Sequence, residues 1–271
     1  MAEGVVATPR RLPVLRRALA ESWRAVVAWA VGILAVLALY LPLFPSIGSN
    51  GEMQSIIDSL PPQLVSTLGY DDIGTGAGYT EATFLGLMGF VLLTIAGISW
   101  GASAIGGAQE SGRLELDLAH AVGRVSYALE QALALVVRLA ALGAFAGLVI
   151  LALNGPSELD LTVGGVVWAC VALVGLTLAS ATAALAGGAA SGRRVVGVGT
   201  GAAVAVVGYL ANALAQQGDT FAWLRPFSPY AWAFDSPPLT DPDPASIGLL
   251  WLLAAVFAAA AAELLRRRDV G

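Results

Sequence analysis

QESGRLELDLAHAVGR, residues 109–124, is the stretch on which the reading of this chain turns. It carries Glu110, Arg113, Glu115, Asp117 and Arg124 and stands between two long apolar runs. Leu114, Leu118 and Val122 recur at helical spacing, which predicts a short helix with an apolar ridge flanked by acids. Crossing a bilayer requires no such helix, whereas docking a partner does. An ordinary amphipathic connector lying on the headgroups would show the same pattern.

The composition around that stretch excludes a soluble domain. Apolar residues make up 57% of the 271 and charged residues 12%, against about 25% charged in soluble proteins. Mean hydropathy is +0.76. The chain therefore reads as an integral membrane protein. All 14 basic residues are arginine. The single cysteine, Cys170, and the single histidine, His120, exclude an intrachain disulfide and a cysteine- or histidine-rich metal site. No nucleic-acid partner is expected.

The expected fold class is an all-α membrane protein. Residues 1–24 form a start on the arginine side, with residues 1–8 disordered. From Arg11 to Trp23, Leu12, Leu15, Leu19 and Trp23 share one helical side, which predicts an interfacial helix lying in the membrane plane. The apolar run that follows, about 20 residues, is too long for a signal-peptide core and lacks a cleavage site. Residues 25–271 form a six-helix transmembrane domain, with spans at about 25–44, 84–105, 127–153, 161–186, 195–215 and 246–265. Pro42 and Pro45 end the first span. The connections on one side are 45–83, 154–160 and 216–245. Within the first of them, Met53, Ile56, Ile57 and Leu60 suggest an amphipathic helix stopped by Pro61 and Pro62, and 69–78 reads as a glycine-rich loop.

The arginines set the orientation. Arg10 to Arg24, Arg113 with Arg124, Arg193 with Arg194, and Arg266 to Arg268 alternate with connections where only Arg225 occurs. The positive-inside rule then places both termini in the cytoplasm of a multi-pass plasma-membrane protein.

Three features inside the apolar runs are candidates for function. Arg138, with Glu130 and Glu263 in the same leaflet, reads equally as pathway lining or as a structural ion pair. Gly197 and Gly201, four apart, predict a close packing seam rather than half a dinucleotide loop. Gly97-Ile98-Ser99-Trp100-Gly101 matches G-x-S-x-G but lies within a continuous apolar helix, so Ser99 reads as a packing serine. A Walker A loop needs a lysine, and the chain has none.

Residues 109–124 resemble the connector of permease subunits of the ABC-2 class of ATP-binding-cassette exporters, whose motif runs approximately E-x-G-t-l-e-x-L-L-x-x-P-v-x-R. Glu110, Gly112, Leu114, Glu115, Leu118, Val122 and Arg124 match it, while Asp117 replaces a leucine and Ala121 the proline. The loop Asp71-Asp72-Ile73-Gly74 and the alanine-rich, lysine-free composition resemble actinobacterial permeases linked to antibiotic or multidrug export.

The resemblance implies a type V exporter-like fold: six spans with an N-terminal interfacial helix, paired with a second permease, identical or similar. The region of Gly197 and Gly201 would lie near the contact between the two permeases. Two ATPase subunits would dock on 109–124 and on the N-terminal helix and would carry the ATP and Mg. The chain itself would do no covalent chemistry and hold no cofactor. Its outer connection FAWLRPFSPYAWAF, 221–234, would form re-entrant helices capping the exit, with Trp223, Phe227 and Tyr230 as an outer gate. The expected cargo is an amphiphilic or hydrophobic drug, antibiotic or lipid, moved outward through a lipid-embedded dimer. The alternative is an ion-coupled secondary transporter, which needs an intramembrane acid and usually an inverted repeat. No such repeat is visible.

Overall fold

A chain in hydrocarbon must satisfy its own backbone N–H and C=O groups, so each apolar run becomes a helix. The computed structural model describes residues 12–47, 72–119 and 123–268. In chain order the helices are α1 (Pro13–Tyr40), α2 (Gly76–Glu110), α3 (Arg113–Ala119), α4 (Arg124–Asn154), α5 (Val163–Ser191), α6 (Arg194–Ala215), α7 (Pro229–Phe234) and α8 (Pro244–Arg267). No strand occurs among the described residues. The six helices α1, α2, α4, α5, α6 and α8 are long and apolar enough to cross a membrane, which makes this an all-helical, multi-pass membrane protein.

Two boundaries differ from those expected. Among the described residues, no separate helix precedes the first span. Pro13 starts one continuous helix that runs through Arg24 to Tyr40, then through a 3₁₀ turn at Leu41–Leu43 into a last turn at Phe44–Ile47. Proline at the first helical position is tolerated, and none occurs between Pro13 and Pro42 to break the backbone.

The second difference is at α2, which begins at Gly76, inside the stretch expected to be a glycine-rich loop. Thr75 caps it by accepting the Gly78 N–H at 3.0 Å. A β-carbon on Gly76 would lie 2.1 Å from the Leu159 carbonyl oxygen, so this glycine serves close packing. Two π-helical segments, Glu81–Gly89 and Ser103–Gly107, interrupt α2. The expected helix around residues 53–60 and the expected disordered start at 1–8 lie outside the described residues.

The most enclosed span is α5, which packs against α2, α4, α6 and α8. Its second half, residues 179–190, is almost all Ala, Gly, Ser and Thr, which lets neighbouring backbones approach closely. Earlier in α5, Gly175 accommodates Trp251 of α8, whose indole N–H donates to the Val171 carbonyl at 3.3 Å.

Candidate functional site

The arginine-bearing ends of the spans meet at one end of the bundle, where helix termini are capped by charges from neighbouring helices. Neither α1 nor α6 has a side-chain cap of its own. The Leu15 N–H in the first turn of α1 donates to Glu130 Oε2 of α4 at 2.9 Å. The Arg194 N–H that opens α6 donates to Glu110 Oε1 at 3.0 Å. At helix C-termini the signs reverse: Arg124 donates to the Arg268 carbonyl after α8 at 2.5 Å, and Arg268 to the Ala189 carbonyl of α5 at 3.3 Å. Both arrangements match a helix dipole, positive at its start and negative at its end.

Helix α3 is tied into this end. Gly112 enters it at φ +70°, a left-handed conformation that glycine adopts without steric cost. Leu114 is fully buried in the chain's own core, and Leu118 packs against the same core. This corrects the expected docking ridge: Leu114 offers a partner no surface. Instead, Arg113, Glu115 and Leu116 of the helix are exposed, Leu116 at 63%, with Arg113 and Leu116 also at the edge of a cleft against α1, α2 and α4. Asp117 bonds Arg17 of α1 at 2.8 Å, and Arg17 also holds Glu21 at 2.7 Å. Val122, with His120 and Ala121, lies outside the described residues.

The expected ion pair among Arg138, Glu130 and Glu263 does not form. Glu130 is buried and engaged by Leu15 and by Ser126 at 3.4 Å. Glu263 bonds Arg266 at 2.7 Å and also Arg267, both on its own helix. Arg138 is 7% exposed, donates Nη2 to the Ala18 carbonyl at 2.6 Å, and lies 5.5 Å from the centre of the Trp100 ring. A charge in mid-span costs about 2.5–3.5 kcal/mol on insertion scales, so this guanidinium belongs in a polar or enclosed setting. That setting is a cleft of about 710 Å³ between α1, α2, α3 and α4, which Arg17, Trp100, Asp117 and Arg138 help to line.

The glycine seam is real but internal. A β-carbon on Gly197 would meet the Ala184 carbonyl at 2.8 Å, and one on Gly201 the Ser180 carbonyl at 2.8 Å. Both glycines therefore serve close contact with α5 of the same chain. At the opposite end, a 3₁₀ segment Asp219–Phe227 precedes α7. Tyr230 turns inward, donating to the Gly86 carbonyl at 2.7 Å and packing against Phe90, Tyr209 and Phe234. Trp223 and Phe227 are 64% and 72% exposed, so the three expected gate residues are not brought together.

No family model and no curated protein matches the chain. The site thus stands on its geometry. Sequence reasoning misses the Arg17–Asp117 bond, although the acid in the motif's leucine position is its signal.

Proposed function

We propose that the chain is the membrane-spanning permease subunit of an ATP-driven exporter of the ABC-2 class. Two copies, or two similar halves, would pair in the plasma membrane with both termini cytoplasmic. Two separate ATPase subunits, carrying ATP and Mg, would dock at the arginine-bearing end. The observation that carries this reading is α3: a short helix with an outward face, Arg113, Glu115 and Leu116, whose inward face is keyed into the bundle. Force on α3 passes to α1 through Asp117–Arg17 and, from the adjoining end of α2, to α6 through Glu110. Such a connection converts movement of a docked partner into movement of spans. The cargo would be amphiphilic, because the spans present few polar groups.

Co-purification with a candidate ATPase subunit tests the reading. A stable complex is expected. A chain that never retains that ATPase, in detergent or in nanodiscs, would contradict it.

A further inference from the structure

The cleft between α1, α2, α3 and α4 is lined by more guanidiniums than carboxylates, and Glu21 acts on Arg138 only through space. Three guanidiniums line it, from Arg17, Arg113 and Arg138, against the two carboxylates of Glu21 and Asp117. Arg17 engages both carboxylates, at 2.7 and 2.8 Å. Neither Arg113 nor Arg138 has an acid at ion-pair distance among the described residues. Arg113 instead donates Nε–H to the Ser111 hydroxyl at 3.2 Å. Arg138 is more than nine-tenths buried, yet its Nε has no hydrogen-bond partner among the described residues. Buried donors in folded proteins are almost always satisfied, so the guanidinium is left with unmet hydrogen-bonding capacity at a position where it also lines the cleft. The Trp100 ring lies against the guanidinium, its centre 5.5 Å from the guanidinium carbon.

The shape of the cleft narrows the ligand. Its volume, about 710 Å³, lies in the range of small-molecule sites, roughly 300–1,000 Å³. The π segment Ser103–Gly107 shapes one wall, where Ala104 and Ala108 join Trp100 in an apolar strip. Guanidinium groups match the oxygens of phosphate and carboxylate.

We propose that this cleft binds an anionic amphiphile, with a phosphate or carboxylate head on Arg138 and an apolar chain along the wall of Trp100, Ala104 and Ala108. That the ligand is cargo rests on the exporter reading; that it binds does not. The test is calorimetric titration of the purified chain, in neutral detergent and without ATPase, with dodecyl phosphate and with inorganic phosphate. Dodecyl phosphate should bind, and inorganic phosphate should bind roughly tenfold or more weakly for want of the chain. Arg138→Gln should weaken dodecyl phosphate roughly tenfold or more. Because that variant also loses the Ala18 bond, Ala104→Trp, which fills the cleft and keeps Arg138, should lose binding as well. Native mass spectrometry from phosphatidylglycerol nanodiscs separates the sources: retained phosphatidylglycerol marks a membrane lipid, and retention of added dodecyl phosphate alone marks a free amphiphile. Unchanged dodecyl phosphate binding in both variants, or equally tight inorganic phosphate, would overturn the proposal. Dodecyl phosphate binding by a chain that never retains an ATPase on co-purification would sink only the exporter reading, whereas a retained, coupled ATPase without dodecyl phosphate binding would sink only this one.

Discussion

Gly112 has φ +70° and no atom within 4 Å of where a β-carbon would stand. Its requirement is therefore conformational rather than steric. Alanine there costs about 1–2 kcal/mol, while asparagine, which tolerates the left-handed region, costs less. Gly112→Ala should increase amide exchange across α3, and Gly112→Asn should restore much of the protection. Equal exchange in both variants would show that the turn does not set α3. The sequence shows that Gly112 matches a motif position, but only the backbone angle supplies the reason. Leu114 marks the opposite limit: helical spacing identifies an apolar ridge without saying whether it faces a partner or the chain's own core.

Among the elements, the spans are legible because long apolar runs interrupted by arginines and prolines leave few alternatives. The start of α1 is not, since Arg16, Arg17 and Arg24 suit a headgroup layer as well as a helix whose charges find partners. Arg17 finds Glu21 and Asp117, and this joins α1 to α3. The pair is partly exposed, so its stabilisation should be about 0.2–1 kcal/mol, too small to threaten folding. Asp117→Arg should weaken coupling between α1 and α3, and adding Arg17→Asp should recover it. Distance measurements between spin labels on the two helices would read this; a double variant no better than the single one would remove the bond from the account.

For the whole molecule, the contacts Glu110–Arg194, Arg124–Arg268 and Arg17–Asp117 gather the arginine-bearing ends at one side of the bundle. With the arginines inside, Gly155→Cys and Thr220→Cys in a Cys170→Ala background should react with an impermeant thiol reagent added to intact cells. Ala190→Cys should not react, and its labelling would invert the orientation.

The central claim is that a separate ATPase engages the outward face of α3. Leu116→Arg places a charge on that face, away from the core that holds Leu114. Burying it in a contact at a cost of about 3 kcal/mol would weaken docking more than a hundredfold. The measurement is ATP hydrolysis by the ATPase reconstituted with the wild-type or Leu116→Arg chain at matched membrane levels. Stimulation by the wild type and its loss in the variant are predicted; full stimulation by Leu116→Arg would contradict the claim.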